Sequence, residues 1–364
     1  MRIAYCIHSL NLAGGMERVL SLKASKLAED YGHDVFIVTA SMKGRQPAFP
    51  LSPKVKLVDV GVSDRFGPGF FRYGRGLNKV LMRISPDVTV SLCGNDVYFV
   101  PSCEDGSLKL AEFHFSHDKF LLKYGDNPYS RWRTKTLEKA LKKFHTLVVL
   151  TQADARAWSG ILPSVKQIYN PLTFSLSDRS QVSAKRFMAA GRLENQKDYP
   201  AMIQAWKKVA ERHPDWTLDI FGDGHQKDDI QRLVSSEGLE GKVRLMGRSS
   251  DIRSEMLNSS GLLLSSRFEG FPMVLLEASA MGLPMVSFDC HYGPSEIVRT
   301  GENGFLVPLG DTDAMAEAIC QLIEDVPLRQ KLGKGAFESA RSFLPERIMN
   351  QWDSLFRSLK SNLG

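Results

Sequence analysis

At 364 residues, 43% hydrophobic and 24% charged, the chain is too long for one ordinary core and is neither disordered nor fibrous in composition. Its apolar runs, such as Leu147–Leu150 and Gly261–Leu264, fall far short of the ~20 residues a membrane-spanning helix needs, and no secretory signal is visible. The net charge of +6 is uneven: residues 1–168 carry 24 Lys+Arg against 15 Asp+Glu and the remainder 23 against 26, so the first half is expected to face something anionic.

The first half alternates strands and helices. Arg2–His8 reads as a strand, followed by the glycine loop Asn11–Gly15 and an amphipathic helix that ends near Gly32. Strands are predicted at Asp34–Ala40, Val55–Val60, Asp87–Cys93 and Leu108–His114, with a helix between about Phe70 and Ile84. A basic helix, Trp132–Lys143, precedes the strand His145–Leu150, where Thr151 has the chemistry of a helix N-cap. Val165–Tyr169 is one more strand. Residues 172–185 hold four serines and few large apolar side chains, which marks a linker.

Alternation restarts with the strand Arg186–Ala190, the helix Tyr199–Arg212 and the strand Trp216–Phe221. A helix Gln226–Ser236, a strand Val243–Met246, a helix Asp251–Leu257 and a strand Gly261–Leu264 follow. After a helix running through Met281 and the strand Met285–Phe288, the turn Gly301–Gly304 leads into helices from about Asp311 to the C-terminus. The pattern implies an α/β fold of two Rossmann-like, doubly wound parallel-sheet domains. Residues 1–171 form the first, 172–185 the linker and 186–344 the second. The five cysteines (Cys6, Cys93, Cys103, Cys290, Cys320) show no close pair and no metal spacing, which suits buried thiols in a cytosolic protein.

In such sheets ligands bind where loops leave the carboxyl ends of the strands. The segment Arg267–Ala278 carries Glu269, Gly270, Phe271, Pro272, Met273, Val274 and Glu277. Gly270 would let backbone approach a ligand, and Pro272 suits a first helical turn whose amides attract an anion. Glu277, one turn further, could accept ribose hydroxyl protons, and Glu269 could bind those of a sugar. Gly191-Arg192 and Lys197 place two cations on one loop, a fork and a point charge fit to hold a diphosphate. Gly222-Asp223-Gly224 follows the next strand. Gly14-Gly15 before the first helix can set amides against phosphate or sugar, although the dinucleotide fingerprint Gly-x-Gly-x-x-Gly is absent. His114, preferred over His117, ends a strand where it could meet a sugar hydroxyl.

Taken in order, Gly14-Gly15, His114, Gly191-Arg192 with Lys197, Gly222–Gly224, Glu269 to Glu277 and Gly301–Val307 resemble glycosyltransferase family 4 over about residues 1–325. The two glutamates eight residues apart are the most specific part. The resemblance implies a GT-B fold, with two domains facing across a cleft and a C-terminal helix, about 345–360, packing back on the first domain. It implies a retaining enzyme that takes a nucleoside-diphosphate sugar on its second domain and an acceptor on its first. In those terms Arg192 and Lys197 neutralise the diphosphate, Glu277 binds ribose, Glu269 and His114 meet the donor sugar, and Gly15 approaches the β-phosphate. Arg192, Lys197, Glu269 and His114 are the catalytic set. No metal ion and no cofactor are expected, since the two cations supply the neutralising charge.

The expected donor is a UDP-linked hexose or N-acetylhexosamine, with GDP-mannose the next choice. The expected acceptor is a glycan or a lipid-linked saccharide in bacterial surface polysaccharide assembly: lipopolysaccharide, capsule or exopolysaccharide. Nucleic acid is not an expected partner. The basic stretch Arg131–Lys143 would allow a cytoplasmic enzyme to lie on an anionic membrane surface. Two other readings share the fold: a sugar-nucleotide epimerase, which needs no acceptor, and a non-catalytic sugar-nucleotide sensor. The loop Ser41–Phe70 matches no motif.

Overall fold

The computed structural model describes residues 1–65 and 67–361, with the side chain of Pro68 set aside. The chain divides into two units: residues 1–173 together with the segment from Leu344 onward, and Phe174–Phe343.

The first unit runs β1 (Arg2–Ile7), α1 (Gly15–Glu29), β2 (Asp34–Thr39), β3 (Lys56–Asp59), α2 (Pro68–Ile84), β4 (Val88–Ser91), β5 (Leu108–Phe113), α3 (Lys119–Tyr124), α4 (Pro128–Leu141), β6 (Thr146–Val149), α5 (Gln152–Ser159) and β7 (Val165–Gln167). Its seven strands lie in the order β3-β2-β1-β4-β5-β6-β7. All neighbours are parallel; Ile3, for instance, stands opposite Val35 on one side and Val88 on the other. Helices cover both faces, which is why the central strands read as unbroken apolar runs. Thr151 does cap α5, its side chain accepting from the Asp154 amide.

The second unit runs β8 (Arg186–Ala190), α6 (Tyr199–Arg212), β9 (Thr217–Phe221), α7 (Lys227–Ser236), β10 (Val243–Gly247), α8 (Ile252–Leu257), β11 (Gly261–Leu264), α9 (Met273–Ala280), β12 (Met285–Phe288), α10 (Pro294–Ile297), β13 (Gly304–Val307), α11 (Thr312–Glu324) and α12 (Val326–Ser339). Its parallel strand order is β10-β9-β8-β11-β12-β13. The edge strand β13 was not anticipated, because Gly301–Gly304 reads as a turn. A Cβ at Gly304 would stand 2.2 Å from the Met285 carbonyl, so the strand can pair there only as glycine.

Two further details differ from expectation. The basic helix is Pro128–Leu141, started by an Asn127–Ser130 capping box upstream of Trp132. The serine-rich stretch 172–185 is held to the second unit from Phe174 onward. Ser180 donates to the Ser259 carbonyl and Arg329 to that of Val182. The last helix, α13 (Pro345–Ser361), belongs to the first unit. It buries Ile348, Met349, Trp352, Leu355 and Phe356, a helical stripe, in the same core as Leu20, Ala24 and Leu27 of α1. Residues 362–364 lie outside the description.

Both sheets reverse winding direction beside their first strand. In the first unit, chain order runs from β1 outward to β2 on one side and from β4 on the other; in the second, β8 stands between β9 and β11. Loops leaving β1 and β4, or β8 and β11, therefore diverge and open a crevice at the carboxyl ends.

Candidate active site

In the second unit the loops after β8 and β11 are laced together. The Arg267 amide donates to the Gln196 carbonyl at 2.8 Å, Gln196 Nε2 to the Phe268 carbonyl at 3.0 Å, and Ser265 Oγ to the Lys197 carbonyl at 2.7 Å. Arg267 also pairs with Asp198, which is held at a left-handed φ of 47°. This lacing fixes Lys197 and Glu269, whose Nζ and Oε1 lie 2.6 Å apart; Ser266 Oγ donates to the same oxygen at 2.6 Å. Glu269 is buried, and the Tyr199 hydroxyl and Cys290 thiol face it. Burial, and secondarily the charge of Glu269, pushes Cys290 up to about 12 and Tyr199 well above its ordinary value, so both stay protonated.

The glycines of the next loop have a structural reason. Gly222 has φ 146° and its Cβ would fall 1.8 Å from the Gly191 carbonyl oxygen, while a Cβ on Gly224 would fall 2.3 Å from that of Leu193. The Gly222–Gly224 backbone thus braces the loop that carries Arg192 and Lys197. Asp223 itself points outward, 3.5 Å from Arg248. Arg192, the other cation expected at the diphosphate, has a side chain that is 67% exposed and pairs with Glu194 at 2.9 Å, whereas Lys197 is 14% exposed. A neighbouring carboxylate and solvent compete for the guanidinium.

One expectation for the loop after β11 is corrected. Pro272 is the N-cap, not a first-turn residue; α9 starts at Met273, and Val274 follows it. Gly293, at φ 91°, packs closely on this loop: a Cβ there would stand 2.9 Å from the Gly270 carbonyl oxygen and 2.6 Å from Pro272. Phe271 is buried with its ring 5.9 Å from that of Phe343, and Glu277 is buried one turn into α9. A carboxylate on an otherwise apolar helix is costly unless it meets polar partners.

In the first unit Gly14 is the N-cap of α1 and Gly15 its first residue. Glu17, which the sequence reading passed over, folds back on this helix start: a Cβ on Gly14 would touch its Oε2 at 2.3 Å. Its place at the third helical position was the available signal. Burial raises the Glu17 carboxyl, opposed by its own amide and by His114 and His8, so these groups are neighbours. His114 Nε2 lies 3.1 Å from Glu112 Oε1, off the axis of a well-formed hydrogen bond. Glu112 is in turn paired with Lys23, also buried, whose ammonium sits over the rings of Tyr5 and Trp352. His117 is placed otherwise, with Nδ1 2.7 Å from Asp118 and its ring edge-on to Trp158.

Among the described residues, one group with metal-ligand chemistry is His213, Cys320 and Glu324. It lies at the far end of α6 from Tyr199, and Arg212 and His213 both bond Glu324. No described helix is long and apolar enough to cross a membrane.

Residues 178–339 match the family described as glycosyl transferases group 1. The amylovoran biosynthesis glycosyltransferase AmsD of Erwinia amylovora is 27% identical over 97% of this chain and 99% of its own length. An uncharacterized glycosyltransferase of Haemophilus influenzae is 25% identical with the same coverages. An exopolysaccharide phosphotransferase of Streptomyces coelicolor is 38% identical, but the chain spans only 23% of it. Among solved structures, TarM superposes with a TM-score of 0.85 at 16% identity and 98% coverage of both chains. Anabaena HepE in complex with UDP gives 0.76 at 18% identity, covering 98% of this chain and 100% of that one. Two parallel-sheet units of seven and six strands with these neighbours define a GT-B fold.

Proposed function

We propose that this chain, a glycosyltransferase of GT-B fold whose residues 178–339 match glycosyl transferases group 1, moves a hexosyl or N-acetylhexosaminyl group from a UDP-linked sugar to a glycan or lipid-linked acceptor. The carrying observation is the Lys197–Glu269 pair, fixed by two laced loops at the point where the second sheet reverses direction. The naming of AmsD for amylovoran biosynthesis and the UDP bound by HepE support a polysaccharide pathway and a uridine donor.

In this reading the bond from the anomeric carbon to the leaving phosphate oxygen breaks while negative charge gathers on the diphosphate. Lys197 exchanges Glu269 for that charge, and Arg192 turns from Glu194 to join it. Pre-placed cations stabilise such charge without reorganisation at the moment of reaction, and this replaces a metal ion in the role. Glu269, released, accepts from a donor-sugar hydroxyl, and Glu277 from the ribose. The acceptor oxygen bonds the anomeric carbon on the face the diphosphate leaves, and its proton passes to a phosphate oxygen, so configuration is retained. His114, with Glu112 and Glu17 around it, is the first unit's candidate for a sugar hydroxyl.

Exposed Tyr124, Tyr129 and Trp132 lie against one another, edge-on and tilted, among Arg131, Lys135 and Lys139, a composition suited to the headgroup layer of an anionic leaflet. A thermal-shift series with UDP, GDP and their sugars tests the donor: UDP ligands raise Tm because they bind only the folded chain. No shift with any nucleotide, together with no UDP release in the presence of acceptor glycans, overturns the reading.

A further inference from the structure

The first unit holds a cavity of about 390 Å³ at its own winding reversal, lined by His8 beyond β1, Asn95 and Tyr98 beyond β4, Lys119 and Phe120 of α3 and Arg133 of α4. We propose that this cavity is an anion site that takes a phosphate or diphosphate group of the acceptor. The proposal rests on the transferase reading only in calling the ligand an acceptor.

The charges are arranged for such a ligand. Lys119 Nζ stands over the rings of Phe115, Phe113 and Phe120, at 4.2, 4.9 and 5.0 Å, and Arg133 over Phe120 at 4.9 Å. Ring faces hold a cation without neutralising it. Among the described residues no carboxylate lies within ion-pair distance of Lys119, although burial penalises its charge. His8 Nδ1 lies 2.5 Å from Asp64, which favours the protonated ring, and Arg65 stands at the rim. The nearby carboxyls are already engaged: Asp64 with His8 and Asp96 with Ser91. An excess of cations, one of them desolvated without a counter-ion, at a crevice where this sheet type binds ligands, requires an anion to complete it. The exposed Tyr129–Trp132 face adjoins the cavity through α4, so the phosphate can arrive on a lipid or on a soluble glycan.

Calorimetry of the full chain with inorganic pyrophosphate, in saturating UDP, tests this. Lys119→Met, which keeps the packing, and Arg133→Gln are each expected to weaken pyrophosphate about tenfold or more while UDP binding is unchanged. Retained UDP binding also reports an intact fold. Unaltered pyrophosphate affinity in both variants overturns the proposal, as does pyrophosphate binding that UDP abolishes in the wild type. Failure of UDP to bind at all would instead strike the donor reading and leave the pyrophosphate titration interpretable. Glycerol 3-phosphate binding that both substitutions weaken places the phosphate on a soluble acceptor. Sedimentation with phosphatidylcholine vesicles only when they contain phosphatidate, and less so for Lys119→Met, places it on a lipid.

Discussion

Lys197 Nζ and Glu269 Oε1 lie 2.6 Å apart although 72 residues separate them in the chain. The pair holds a cation on the loop that leaves the carboxyl end of β8, and in the proposed reaction that cation meets the charge of the donor. Lys197→Ala is therefore expected to lower transfer ~100–1000-fold, the usual loss when one pre-placed charge-stabilising group is removed. Steady-state kinetics with circular dichroism checks it; near-normal turnover in a folded variant would remove Lys197 from the mechanism. Glu277→Ala is expected to raise the donor KM, and an unchanged donor KM would contradict the ribose assignment.

Much of this site was legible in the sequence because its residues follow strands, and strands of a parallel sheet announce themselves as short apolar runs. Thr151 was readable as a cap, and Glu269 and Glu277 as candidates, since carboxylates in an apolar segment need partners. The lacing through Ser265, Ser266, Gln196 and Asp198 was not readable, because it joins loops distant in the chain. Gly293 and Gly304 were missed for the same reason: each is glycine on account of a backbone packed against it. The contact between Arg192 and Glu194, two residues on, was not anticipated.

The glycine brace makes its own prediction. Gly224→Ala drives a methyl to 2.3 Å from the Leu193 carbonyl oxygen, and Gly222→Ala adds a φ of 146° that side chains resist. Each should cost about 1–3 kcal/mol and displace the Arg192–Lys197 loop. The expected signature is a lower Tm together with a lost UDP-induced shift; an unperturbed shift would show that the loop does not depend on the brace.

The Lys23–Glu112 pair is fully buried, and its partners cannot be removed singly at low cost. Burial pushes the Glu112 carboxyl up, and Lys23 and His114 more than reverse this, holding it at about 2. Lys23→Met leaves a buried carboxylate without its cation and is expected to lose about 3–5 kcal/mol, measured by urea unfolding. Lys23→Met/Glu112→Leu should recover most of that stability. Because the folded carboxyl lies below its unfolded value of about 4.3, its contribution is complete above that pH and is lost as pH falls toward about 2. A Lys23→Met variant as stable as the wild type would show that the charge of Glu112 is balanced elsewhere.

Anion binding at the first unit's cavity should weaken as pH rises. Burial pushes Lys119 down to about 8; Arg133 and Lys123 act in the same direction, and Cys93 and Asp96 oppose them. The Cys93 thiol is itself raised by burial and stays neutral. Burial likewise raises Asp96 to about 7, so it gains negative charge through neutrality. His8, raised by its hydrogen bond to Asp64, loses its proton as pH rises. All three titrating groups therefore act in one sense: the cavity is most cationic below about 7 and loses positive charge through about 8. Sulfate, whose own charge is constant over this range, is the appropriate calorimetric probe. Its affinity should fall between pH 6 and 9, and Lys119→Met should flatten the alkaline part of that fall. A sulfate affinity independent of pH, or an equally steep alkaline loss in the variant, would mean that Lys119 does not face the bound anion.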